Sequence, residues 1–166
     1  MRAITVFVSL LIPCLLLPCA FAQEPDADTS TTLCTFADGN QMSLQYRVAE
    51  EHGNEPHEGK LWTPGGSPLT LFTQCPIELA NTAIPVGAYS VYFIPGKKSW
   101  TLIVNRNVTA GASYDETQDL VRAPMEVVPI DVPGKLQISF AHMAPKQCSL
   151  RLYSGKAGAF AEFMQK

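Results

Sequence analysis

The stretch from Ile84 to Asn105, IPVGAYSVYFIPGKKSWTLIVN, constrains the fold more than any other part of the sequence. Two runs rich in β-branched and aromatic residues, Ala88 to Ile94 and Trp100 to Asn105, flank the break Pro95-Gly96-Lys97-Lys98-Ser99. That is the pattern of a hairpin with a loop of about five residues. Side chains alternate along a strand, so Tyr89, Val91 and Phe93 share one face of the first run. Trp100, Leu102 and Val104 share one face of the second. Paired, they form a continuous aromatic and aliphatic surface, which needs a second layer to keep it from water. Tyr92 falls on the opposite face and is therefore the better candidate for contact with a ligand.

The same period-two signature recurs along the chain. Leu33 to Phe36, the turn Asp38-Gly39-Asn40, and Met42, Leu44 and Tyr46 alternating with polar neighbours predict a first hairpin. Short strands are expected over Leu69 to Thr73, after Cys75-Pro76 to Leu79, and over Met125 to Ile130, where Pro129 suggests an edge or a bulge. Further strands are expected at Leu136 to Phe140, Cys148 to Leu152 and Ala159 to Met164. Ala110 to Val121 suits a short helix or a loop. About nine short strands with no repeat predict an all-β domain over residues 33–166, an antiparallel β-sandwich of jelly-roll-like type. A closed β-barrel uses the same alternation and is the alternative.

Residues 1–22 have the pattern of a secretory signal peptide: Arg2, an uncharged apolar run, then Ala20-Phe21-Ala22. Pro13 and Pro18 interrupt that run, which argues against a retained membrane helix. Lipid anchoring at Cys19 is disfavoured, since Pro18 stands where a small residue is expected. No transmembrane segment is expected after cleavage, and the location is periplasmic or extracellular. Residues 23–32 form an acidic, Ser/Thr-rich lead-in expected to be flexible. Losing Arg2 with the leader leaves eleven basic against fifteen acidic residues, a formal charge of −4 without a basic cluster. Nucleic acid is therefore excluded as an expected partner. Of the mature cysteines Cys34, Cys75 and Cys148, an oxidising compartment allows one bridge, in any of three pairings.

Candidate chemistry is thin. Glu50, Glu51, Glu55 and Glu58 surround His52 and His57, but those histidines are five apart with Gly53 and Pro56 between them. Two ligands on one helical face would need a spacing of three or four, so they are only weak metal candidates and no cofactor is expected. Ser67 after Gly65-Gly66 lacks the Gly-x-Ser-x-Gly elbow of an acyl-transfer nucleophile. Asp115, Glu116 and Asp119 are close in sequence, yet solvated loop acids explain them as well.

Pro85-Val86-Gly87-Ala88-Tyr89, Ile94-Pro95-Gly96, Trp100 and Asn105 follow one another in an order that resembles an uncharacterised family of exported bacterial proteins, domain of unknown function 2911. Tyr114-Asp115, Asp119-Leu120 and Arg122 look like further positions of that family, and the likeness extends over roughly Leu33 to Tyr153. The family's most polar motif, Trp-Arg-x-Gly-Ala-Asn-Glu-Ala-Thr, corresponds here to Trp62 through Thr70, where Trp, Gly and Thr survive but Arg, Asn and Glu do not. An upstream Lys-Gly-Arg is also absent, and a Trp-Gly pair has become Ala110-Gly111. The resemblance implies a shared scaffold with an altered polar site.

The expected function is that of a non-catalytic exported binding or structural module of the cell envelope, with a glycan or protein as partner. Trp62, Tyr92, Asp115 and Arg122 are its candidate ligand contacts. The alternative is a hydrolase or lyase that uses loop 50–60 with Asp115, Asp119 and Arg122.

Overall fold

The computed structural model describes residues 28–48 and 55–166. The signal-peptide and lipidation expectations, His52, and residues 23–27 of the lead-in lie outside the described residues. Among the described residues, nine strands form one antiparallel sheet: β1 (Thr29–Thr35), β2 (Gln41–Arg47), β3 (Leu69–Thr73), β4 (Ile77–Leu79), β5 (Thr82–Ile84), β6 (Gly87–Ile94), β7 (Ser99–Asn105), β8 (Asp119–Ala144) and β9 (Gln147–Gln165). Their order, β1-β2-β3-β6-β7-β8-β9-β4-β5, is a meander with one excursion, the small β4–β5 hairpin that crosses to pair with β9. The central β6–β7 hairpin pairs Tyr92 with Ile103 and Phe93 with Leu102 across the Pro95–Lys98 turn.

The sheet curls over a single core built from Met42, Leu71, Phe93, Trp100, Leu102, Met125 and Phe163, among others. It is sandwich-like and does not close into a barrel: the edge strands β1 and β5 share no ladder among the described residues. Instead β1 comes against the distal half of β8, where the Phe140 N–H donates to Thr32 Oγ1 at 2.9 Å. A disulfide between Cys34 on β1 and Cys148 on β9 fastens the same seam, leaving Cys75 as a buried free thiol. The Gln165 side chain also reaches across to Asp38 in the β1–β2 turn.

The structure departs from the sequence expectation in two places, and in a third it decides between helix and loop. Thr29 to Thr32, placed by composition in a flexible lead-in, pair with Leu44 to Arg47 as part of β1, because the neighbouring strand supplies partners for their backbone groups. The separate short strands expected between Met125 and Met164 merge into two long strands, β8 and β9. The breaks read from Pro129 and Gly134 survive as register shifts within that ladder, as expected where a proline contributes no N–H. In the segment from Ala110 to Val121, the helical content is one 3-10 turn, Glu116–Gln118, whose start is capped by Asp115.

Candidate functional site

The register sets out the face of the sheet that points away from the core. Ser90, Asn105 and Asp119 form one row across β6, β7 and the start of β8, and Tyr92, Ile103 and Arg122 form the next. A bulge between Val104 and Asn105 lets Asn105 pair with Asp119 while Leu120 is passed over. The segment 106–118 folds back over these rows. Its 3-10 turn is fixed by Asp115, whose Oδ1 accepts from the Thr117 N–H at 3.0 Å and the Thr117 hydroxyl at 2.7 Å.

Four of the candidate residues meet under this segment. Asp119 receives three donors: Asn105 Nδ2 on Oδ1 at 2.8 Å, and the Tyr114 hydroxyl and Arg122 Nε on Oδ2, each at 2.7 Å. Arg122 Nη2 donates in turn to the Tyr114 hydroxyl at 2.6 Å and lies 3.1 Å from Glu116 Oε1. The Tyr114 ring packs on Tyr92, with centroids 4.9 Å apart and planes at 60°. Asn105, only 1% exposed, also donates to the Asp115 carbonyl at 2.8 Å and accepts from the Asn107 N–H at 2.9 Å. The Ser90 hydroxyl donates to the Asn107 carbonyl at 2.7 Å, so both ends of the segment are tied to the sheet.

The electrostatics follow from this closure. Burial, and then the hydrogen bond to Asp119 and its charge, push the Tyr114 phenol up to about 12. Burial also raises Tyr92. The bond to Asp119 raises Arg122, which keeps its charge in any case. A proton-transfer group needs an open acceptor or a donor near neutrality. Asp119 is engaged on both oxygens, and Tyr114 both donates and accepts within the cluster. The arrangement is chemically a latch.

Trp62 stands apart. It is 5% exposed, bridges to Phe93 on the core side and packs its ring against Phe93 and Trp100, with centroids at 6.1 and 5.6 Å. The sheet separates it from Tyr92, Asp115 and Arg122, which come together. His57 is exposed in a turn whose Gly59 N–H donates to the Pro95 carbonyl at 2.8 Å, at the far end of the β6–β7 hairpin. Asn105 lies roughly 20 Å along the strand from that turn. The described part of loop 50–60 therefore does not join Asp115, Asp119 and Arg122 in one site. Among the described residues, no group of three His, Cys, Asp or Glu side chains is placed to hold a metal ion.

Two other surfaces lie outside the latch. An open cleft of about 470 Å³, lined by Ile130, Val132, Leu136, Gln137 and Tyr153, sits where the β8–β9 ladder is interrupted, and no candidate residue lines it. The outer face of β1–β3 lies beside the latch segment, which reaches Ser90, the β6 partner of Thr70. There Leu33 and Phe72 are 54% and 43% exposed, and Gln45 is exposed beside half-buried Ser43 and Thr70. No helix among the described residues is long and apolar enough to cross a membrane.

An all-β sheet curled over one core, with its outer face half covered by a latched segment, is the class of protein these features define. The chain belongs to the family of proteins of unknown function DUF2911, whose model matches residues 29–159. No curated protein and no solved structure matches it. Asn105, Tyr114, Asp115, Asp119 and Arg122 all stand at positions that carried the resemblance in sequence, and all lie in the latch. Asn105 and Tyr114 had no place among the candidate contacts; the shared motif order was the signal that could have added them.

Proposed function

We propose that the chain is an exported, non-catalytic binding module of the cell envelope that contacts a glycan or protein through the uncovered outer face of β1–β3. The observation that carries this reading is the closure of the polar cluster: Asp119, Tyr114 and Arg122 are engaged with one another and with Asn105, which suits a latch better than a reaction centre. The neighbouring face offers exposed Phe72 and Leu33 beside polar side chains, a mixture typical of contact surfaces. Export is supported by the leader-like residues 1–22 and by the Cys34–Cys148 bond, which an oxidising compartment would preserve.

The test is cosedimentation of the purified protein with cell-envelope fractions, comparing wild type, Phe72→Glu and Arg122→Gln, each first checked for folding by circular dichroism. Wild type and Arg122→Gln should sediment, and Phe72→Glu should remain in solution. Loss of sedimentation in Arg122→Gln with full retention in Phe72→Glu would move the contact surface to the latch and overturn the reading. Export is tested separately by the N-terminus of the mature protein, expected at Gln23.

A further inference from the structure

We infer that the outer face of β1–β3 is a binding platform for a neutral, hydroxyl-rich polysaccharide; this rests on the binding reading above and names its ligand class. Register alone defines the platform. Leu33 pairs with Ser43, and Ser43 with Phe72, so these three lie in one row across the strands. Thr31 pairs with Gln45, and Gln45 with Thr70, giving a second row two residues along. Strand spacing puts Leu33 and Phe72 about 10 Å apart, and the two rows are about 7 Å apart. Leu33 and Phe72 thus flank the Ser43 side chain in one row, beside a row of hydroxyl, amide and hydroxyl.

A sugar ring has this chemistry in complement: an apolar face of C–H groups and a rim of hydroxyls that both donate and accept. The Phe72 ring can stack on the first, while Gln45, with one amide acceptor and two donors, and Thr70 can engage the second. Of these four polar side chains, Thr31 and Gln45 are exposed and Ser43 and Thr70 half-buried, and none is hydrogen-bonded to another described side chain.

Charge selects among the occupants. The mature chain carries −4 overall, yet none of the six platform residues is charged, and the nearest ion pair on this side, Arg47 with Asp28, lies at its end. An anionic polymer would find no row of cations to neutralise it. A membrane surface would find two separated apolar side chains in place of a broad apolar face.

The experiment is an NMR titration of the mature protein with soluble β-glucan, α-glucan, mannan and xylan oligosaccharides, with polygalacturonate as the anionic control. At least one neutral series should bind and shift the amides of Leu33, Ser43, Gln45, Thr70 and Phe72, and polygalacturonate should not. Phe72→Ala and Gln45→Ala, both on an exposed face and expected to fold, should each weaken that binding about three- to tenfold. Shifts confined to the β8–β9 cleft, binding unchanged in Phe72→Ala, or no binding by any neutral series would overturn the ligand class. Concentration-dependent dimerisation through this face, abolished by Phe72→Glu, would do the same by making a second copy the occupant. The binding reading itself fails separately, if wild type does not sediment with the envelope or if Phe72→Glu sediments as wild type does.

Discussion

Asn105→Ala is the most informative perturbation of the latch. The side chain is buried and makes three hydrogen bonds: to the Asp119 carboxylate, to the Asp115 carbonyl, and from the Asn107 N–H. The two neutral bonds contribute about 1 kcal/mol each and the bond to the carboxylate about 2. Water admitted to the site recovers part of that sum, leaving a destabilisation of about 3 kcal/mol. For a domain of this size the midpoint of thermal unfolding should fall by roughly 10 °C. The segment 106–118 should lose protection first, because two of the three bonds hold it to the sheet. Calorimetry gives the midpoint, and hydrogen exchange followed by mass spectrometry gives the local protection. Asn105→Asp should cost at least as much, since it sets a second carboxylate against Asp119. A loss under about 1 kcal/mol, with protection of 106–118 unchanged, would refute the latch.

Other expected outcomes can be checked independently. Replacing Cys34 and Cys148 by serine removes a link across a sequence separation of 114, which the chain-entropy relation values at about 4–5 kcal/mol; urea unfolding should show the shift, and wild type under reductant should reproduce it. Gly96→Ala should destabilise the β6–β7 turn, because a Cβ there would collide with the Ser99 carbonyl oxygen, whereas a Cβ at exposed Gly134 meets no atom within 4 Å and Gly134→Ala should be nearly neutral in the same assay. Tyr114 is raised from 10.0 to about 12, so the folded state favours its protonated form; that stability is complete below pH 10 and is lost as pH rises toward 12. Tyr114→Phe should therefore flatten part of the fall in unfolding midpoint between pH 10 and 12, the remainder belonging to Tyr89 and Tyr92, which are raised as well.

The parts of this fold legible in sequence are those set by near neighbours. Alternation located the β6–β7 hairpin and assigned Tyr89, Val91 and Phe93 to the core side, since the period of a strand is a local property. It also placed Tyr92 on the outer face, but it gave no sign that Tyr92 would be buried there, because the cover comes from Tyr114, more than twenty positions away along the chain. Trp62 illustrates the converse. It sits in an irregular stretch without alternation, and only its bridge to Phe93 turns the indole inward. The merging of the last strands into β8 and β9 was hidden for a similar reason, since Pro129 marks a break in pairing without marking a break in the strand. The pairing of Cys34 with Cys148 depends on the curl that brings β1 to β8 and β9, and spacing alone carries nothing of that curl.

One sheet face carries two regions, a latch over β6–β8 that holds structure and a surface over β1–β3 that we propose makes contact. The most direct test is the hydrogen-exchange footprint of residues 23–166 with and without added cell-envelope fraction. New protection is expected in β1–β3, centred on Gln45 and Phe72, with the exchange of 106–122 unchanged. New protection confined to 106–122, with β1–β3 unaffected, would contradict that division.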